Sequence, residues 1–420
     1  MRLTQPITRR CLLAEASVAA TCFGWPGHSW AETASDGFRV IRARPLGPGS
    51  APQSPTFVSS YDGTVPGPTL RITRGEDLCV RVVNDLAEPT SVHWHGVRLP
   101  NAMDGVPGLT QAPIAPGTSF DYRFRPPDAG TFWYHAHIGA QVDRGLYAAL
   151  IVEEAQPVDV DRGIVLMFAV PPGAGGSPAP VLVNGSLRPD VPVRSGERLR
   201  LRLINATTAR GLSLKLEGHA PWVMAIDGQP TEPLLAREGR VGLGPGSRVD
   251  LFIDATREGG TVAPLVEGVR DEQPVARLVY QRGGEARAAR RSAPLPLPPN
   301  PLPAGIDLKN SLKAELKLGN ARPLDLTGTP LFTVRRSRAV NLGLHNPSGQ
   351  LQHAARCRRD RTRCLRRRQS RQVAARGPSA GAPGHRNGRL VRGGLARSCC
   401  TLLGNRSRPA LRGQPTDQAA

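Results

Sequence analysis

Residues 93–95 read His93-Trp94-His95, and residues 131–137 read Thr131-Phe132-Trp133-Tyr134-His135-Ala136-His137. On an extended strand, residues i and i+2 project from one face. Each His-x-His pair therefore aims two imidazoles the same way, and two such strands could converge four ring nitrogens on one small volume. Four of the nine histidines in the chain belong to these two pairs. Neutral imidazole is a ligand for copper, zinc, iron or nickel, so the spacing points to a metal without choosing among them. The alternative is two pairs of structural histidines satisfied by hydrogen bonds.

Around the pairs the chain reads as short strands cut by turns. Leu78-Val80-Val82 and Phe120-Tyr122-Phe124 alternate with polar residues at the period of a half-buried strand. Tyr61-Asp62-Gly63, Pro66-Gly67-Pro68, Arg74-Gly75 and Pro116-Gly117 supply the turns. From about residue 160 to 283 the same grammar returns. Leu199-Leu201-Leu203 alternates with arginines, Val249-Leu251-Ile253 is a further strand, and Val183-Asn184-Gly185 and Asp227-Gly228 mark turns. The 46 glycines and 41 prolines suit many short strands better than long helices. The spacing predicts one β-sandwich in each region. With 420 residues the chain has room for two or three domains, and no run approaches the length of a membrane helix.

The quoted residues carry a resemblance. His93-Trp94-His95-Gly96, Asp104-Gly105-Val106-Pro107-Gly108, Pro113-Ile114-Ala115-Pro116-Gly117 and the run Thr131 to His137 resemble the first domain of a three-domain, laccase-like multicopper oxidase. Val183-Asn184-Gly185, Leu203-Ile204-Asn205-Ala206 and Ala225-Ile226-Asp227-Gly228-Gln229 are similar to that family's middle domain. The resemblance covers about residues 38–346. It implies an all-β fold of tandem cupredoxin-like Greek-key sandwiches, with copper as cofactor. It also implies one-electron oxidation of a small reducing substrate (a phenol, a metal ion or an amine), coupled to four-electron reduction of O₂ to water.

By motif, His93 resembles a ligand of the type 2 copper, and His95, His135 and His137 resemble ligands of the binuclear type 3 pair. Asp104, eleven residues after His93, matches a carboxylate that helps deliver protons to the oxygen site. On sequence alone it serves equally well as a turn former before Gly105. The family's third domain adds a His-x-x-His-x-His motif and a His-Cys-His segment, which complete the trinuclear cluster and build the type 1 copper site. After Leu344 this chain offers only His345, His353 and His385, none beside a cysteine, so no type 1 ligands are found. Cys79, on a strand with no nearby histidine, reads as a packing residue, and His219 reads as structural. The chain therefore supplies a partial trinuclear site, and the expectation is a multicopper oxidase that is inactive as written and holds copper weakly, because half the coordination must come from water. The alternative is a non-catalytic copper-binding or scaffold protein on the same fold.

The expected organisation is a leader at 1–34, a first cupredoxin-like domain at 35–156 and a second at 157–285. A Pro-rich stiff linker at 286–304 follows, then the start of an incomplete third domain at 305–346 and an Arg-rich tail at 347–420. Thr8-Arg9-Arg10-Cys11-Leu12-Leu13, a mildly apolar stretch through Phe23 and the small-x-small Ser29-Trp30-Ala31 form a twin-arginine-type export signal, which predicts a periplasmic or secreted protein. Residues 341–420 hold 17 arginines, no lysine and two aspartates, and so carry +15 of the formal +21. Nine leucines and two valines there bury too little to offset chain entropy, so disorder is expected. Out-of-frame translation of GC-rich DNA yields this composition; a basic arm for nucleic acid would need stacking aromatics, which are missing. No nucleic-acid partner and no membrane span are expected, and oligomeric state is not legible. A complete relative packs its third domain on the first, so an exposed apolar face and aggregation are expected of the chain as written.

Overall fold

In a computed structural model the described residues are 32–47, 57–171, 179–283, 291–302, 305, 307–317, 330–335, 338–345 and 400–403. Nearly all regular structure among them is β-strand, as the spacing predicts. Nine strands build the first unit: β1 (Glu32–Thr33), β2 (Arg39–Pro45), β3 (Ser59–Tyr61), β4 (Leu70–Thr73), β5 (Leu78–Asn84), β6 (Val92–His95), β7 (Ser119–Phe124), β8 (Gly130–Ala136) and β9 (Tyr147–Glu153). One sheet runs β1-β2-β5-β7 with β3 on β2, and the other runs β4-β9-β8-β6. β1 begins directly after Ala31, the last residue of the small-x-small pattern, and inside the bound of 34 set for the leader. The rest of the leader lies outside the described residues.

Alternation explains the sandwich. Along β5, Leu78, Val80 and Val82 are buried while Cys79, Arg81 and Val83 are half-exposed. Along β7, Tyr122 and Phe124 turn inward and Asp121 and Arg123 outward. Ile41, Val80, Val82, Trp94, Tyr122, Phe132, Tyr134 and Leu150 fill the core between the sheets. β8 is different: all seven residues are buried, because its second face is also covered.

The cover comes from the second unit. Its strands are β10 (Arg162–Ala169), β11 (Leu182–Val183), β12 (Asp190–Val193), β13 (Arg198–Asn205), β14 (Leu212–Leu216), β15 (Trp222–Ile226), β16 (Gln229–Leu235), β17 (Arg240–Leu243), β18 (Arg248–Asp254), β19 (Val262–Glu267) and β20 (Gln273–Tyr280). They form sheets ordered β11-β10-β13-β18-β15-β16 and β12-β20-β19-β14-β17. Trp133, Tyr147 and Ile151 of the first unit pack with Met167, Leu182 and Ile204 of the second in one apolar cluster.

The alternation of β13 predicts a half-buried strand, and here the structure corrects the reading. Leu199, Leu201 and Leu203 enter the core, but Arg198, Arg200 and Arg202 are buried as well. Arg200 pairs with Glu154 and Asp250 at 2.8 and 2.6 Å, and Arg202 with Glu153 at 2.6 Å. The charged face is turned onto the first unit and its C-terminal strand, where partners offset the cost of desolvation.

Residues 291–302, the described part of the Pro-rich linker, bind both units. Leu297 is buried against Met224, Ala225 and Phe252. Asn300 exchanges hydrogen bonds with the main chain of Ala129 at 2.9 and 3.0 Å and donates to Gly228 O at 3.0 Å. Beyond it, β21 (Leu312–Lys317) pairs in parallel with β23 (Val340–His345). β22 (Pro330–Val334) pairs antiparallel with β24 (Cys400–Leu403). Apart from β24, the tail expected to be disordered lies outside the described residues.

Candidate metal centre

β6 and β8 lie side by side and antiparallel, with His93 opposite His135 and His95 opposite Trp133. The packing of Trp94 decides which way the histidines point. Its indole is buried among Tyr122, Phe124 and Tyr134, with ring centroids 5.2–5.5 Å away. A bulky ring fixed in the core on one face of a two-residue repeat sends His93 and His95 to the other face. Phe132 and Tyr134 do the same for β8, leaving Trp133 and His135 on the face of the histidines. The Val92 N–H donates to the Tyr122 hydroxyl and ties this strand to the opposite sheet.

The result is a cluster. His93, His95 and His135 are buried, and each offers a ring nitrogen within 4.8 Å of the other two. His137, one residue past β8 and half-buried, stands at the rim, its ring centroid 5.3 Å from that of His93 and 6.1 Å from that of His135. The structure thus brings together the four histidines of the two pairs, three of them tightly.

Hydrogen bonds fix which nitrogen points inward. A carbonyl oxygen only accepts, so His93 Nδ1–H donates to Asp104 O at 2.8 Å, and His135 Nδ1–H donates to Ala136 O at 2.9 Å. His93 Nε2 is left buried with no hydrogen bond. A buried polar atom without a hydrogen bond is costly in a merely structural residue, and it is what a ring awaiting a metal presents. An all-imidazole donor set, with carbonyls orienting the far nitrogens of His93 and His135, fits a borderline transition metal such as copper.

Asp104 caps a short 3-10 turn, Asn101–Met103, and donates its N–H to Asn101 O at 3.2 Å. Its carboxylate Oδ1 lies 3.4 Å from His93 Nδ1. Asp104 thus forms the turn expected of it and also stands beside His93, where a proton-delivering carboxylate would have to be. Cys79 faces away on β5, opposite Arg123. His219 is occupied in the second unit: Nδ1–H donates to Glu217 O, and Nε2 accepts from the Tyr280 hydroxyl at 2.6 Å. Burial holds its imidazole below the ordinary range. His345 ends β23; His353 and His385 lie outside the described residues.

Sequence reasoning missed two contributors. Trp133 stacks on both His95 and His135, with centroids 4.7 and 4.3 Å away and interplanar angles of 27° and 30°. Its position two residues before His135 was the available signal. The other contributor is the turn before β18, where a Cβ on Gly246 would stand 2.7 Å from His95 Cε1. No local pattern announces that contact, because it joins residues 151 positions apart across two units.

Comparison with known proteins agrees with this geometry. Residues 50–157 and 167–271 each match a family model described as multicopper oxidase. Multicopper oxidase MmcO of Mycobacterium tuberculosis is 32% identical over 270 residues, covering 53% of this chain and 52% of that protein. Copper resistance protein A of Pseudomonas syringae pv. tomato is 29% identical over 361 residues, covering 69% and 58%. The chain thus spans about half the length of these curated relatives. The crystal structure of a multi-copper oxidase from Pseudomonas thermotolerans superimposes with a TM-score of 0.63 at 31% identity, covering 73% of this chain and 80% of that one. Lac15 from a marine microbial metagenome gives a TM-score of 0.60 at 33% identity, covering 73% and 81%. Two adjoining β-sandwiches, an imidazole cluster on the first and these matches lead to one conclusion: the chain belongs to the multicopper oxidase family, whose members use copper ions.

Proposed function

We propose that this chain carries the oxygen-side half of a laccase-like copper site. His93 would hold the type 2 copper, and His95, His135 and His137 would serve the type 3 pair. The observation that carries the reading is the convergence of three buried ring nitrogens within 4.8 Å. Bound copper supplies the redox couple through which electrons from a reducing substrate reach O₂. The chain's own residues do the preparation. Asp104 O and Ala136 O hold the outer nitrogens of His93 and His135, so their Nε2 atoms face inward without reorganisation. Trp133 limits rotation of the two rings that it stacks on and excludes water from that side. The Asp104 carboxylate, partly open to solvent and 3.4 Å from His93 Nδ1, is placed to exchange protons between solvent and the site.

The substrate class is a phenol, a reduced metal ion or a small amine, and the compartment is the periplasm or the exterior, reached through the Arg9-Arg10 export signal. The 420 residues hold no cysteine beside a histidine, and a type 1 centre needs a thiolate with two imidazoles to accept electrons. That observation favours a second reading for the chain by itself, copper binding without turnover. Purified protein titrated with Cu(II) and assayed for phenol oxidation tests both. The expected result is bound copper, lost in the His93→Ala/His135→Ala double variant, with no thiolate-to-copper absorption and no O₂ uptake. Blue colour with O₂ consumption would overturn the non-catalytic reading, and failure to bind copper would overturn the site itself.

A further inference from the structure

We infer that the second unit positions the donor cluster of the first: Gly246, on the turn between β17 and β18, is a positioning residue for His95, and Arg248 locks that turn in place. The inference rests on the copper reading of the cluster and adds a second unit to its construction. Gly246 has φ +74, and its N–H donates to Asn205 O at 2.9 Å. A Cβ there would meet His95 Cε1 at 2.7 Å and Nε2 at 3.3 Å. The Cε1–Nε2 edge of the His95 ring therefore lies directly against the backbone of a residue that tolerates no side chain.

Arg248 is fully buried and reaches three places at once. Its Nη1 donates to Gly246 O at 3.2 Å and pairs with Asp227 at 3.3 Å, while Nε donates to Thr131 O at 3.3 Å on β8. Its Nη2 fills the space where Gly96, the residue after His95, would carry a side chain; a Cβ there would stand 2.2 Å away. One guanidinium thus touches the end of β6, the start of β8 and the turn facing His95.

The physical consequence concerns ring rotation. The χ2 of a histidine is broad and roughly two-fold, so a strand fixes where the ring is but not how it is turned. Trp133 holds one face of the His95 ring and Gly246 blocks its edge, so the plane of the ring is held in one setting. The direction of the His95 nitrogens is then set by two units together. A methyl group at Gly246 must turn the ring or push the turn away.

The test compares Gly246→Ala with Gly117→Ala. Gly117 has nearly the same φ, +73, and nothing within 4 Å of its Cβ position, so it carries the same backbone strain without the contact. The full chain is labelled with ¹³C at histidine Cε1, and the His95 signal is identified by its loss in His95→Gln. The expected result is a displaced His95 signal in Gly246→Ala and an unmoved one in Gly117→Ala, with Cu(II) affinity at least about tenfold weaker in the former. The unmutated protein should also show a proton cross-peak between the Gly246 α protons and His95 Hε1, a readout that needs no variant to fold. Equal His95 signals and equal affinities in the two alanine variants, or absence of the cross-peak, would overturn the inference. Failure of the unmutated chain to bind copper would sink the copper reading instead, while the cross-peak would still decide whether Gly246 positions His95.

Discussion

At His93 the ring is held by a main-chain oxygen and approached by a carboxylate of the same residue, Asp104. The two contacts differ in kind. The carbonyl bond at 2.8 Å survives any side-chain change, whereas the carboxylate, 3.4 Å away, does not. Removing a hydrogen-bonding partner of a metal-bound histidine ordinarily costs about 10–100-fold in affinity. Asp104→Asn keeps the partner that matters for orientation, so copper affinity is expected to stay within about threefold of the unmutated value. If Asp104 moves protons, the same variant slows oxygen reduction wherever the remaining ligands are supplied. A chelator-competition titration showing a loss of about tenfold or more would mean that the carboxylate, not the carbonyl, orients His93.

The element that departs most from its sequence pattern is β13. Leu199, Leu201 and Leu203 reveal a strand and its core-facing side, and both are as expected. The burial of Arg198, Arg200 and Arg202 was not legible, because alternating arginines look the same on a solvated face and on one covered by another unit. Asp250, opposite Arg202 on β18, is the hinge of the charge balance. Burial alone would lift its carboxyl, yet Arg200 and Arg202 hold it below the ordinary 3.8. A carboxylate more acidic in the folded than in the unfolded chain stabilises the fold above its unfolded pKa and loses that stabilisation as pH falls through the folded one. Asp250→Asn should cost about 3–5 kcal/mol at neutral pH, since it strands buried guanidinium groups. The gap to the unmutated protein should begin to narrow below about pH 4, where Asp250 of the unfolded chain protonates, and close as pH falls through the lower value of the folded chain. Urea unfolding at neutral and acid pH measures both; an equal gap at the two would contradict the assignment. The same limit explains why β6 and β8 were readable as a metal face: two-residue periodicity and aromatic neighbours are local, whereas the Gly246 contact is not.

Across the described residues, several features join the two units. Among them are the apolar cluster around Trp133 and Ile204, the ion pairs of β13 with Glu153 and Glu154, the bond from Arg248 to Thr131, and the proline-rich segment bound to both. A stiff spacer was the natural reading of Pro294, Pro296, Pro298, Pro299, Pro301 and Pro303; Leu297 and Asn300 within the segment give it the additional role of a strap. Asn300→Ala removes its bonds to Ala129 and Gly228 and should destabilise the two-unit body by about 1–3 kcal/mol. The melt should stay cooperative, since the cluster and ion pairs remain; an unchanged midpoint would show that the strap holds nothing. The central claim, that histidines of the first unit gather around copper, is tested most directly by copper K-edge X-ray absorption on the copper-loaded chain. The account predicts imidazole nitrogen scattering with no sulfur at the metal, lost when His93 and His135 are replaced by alanine. A sulfur ligand, or the same spectrum in the double variant, would contradict it.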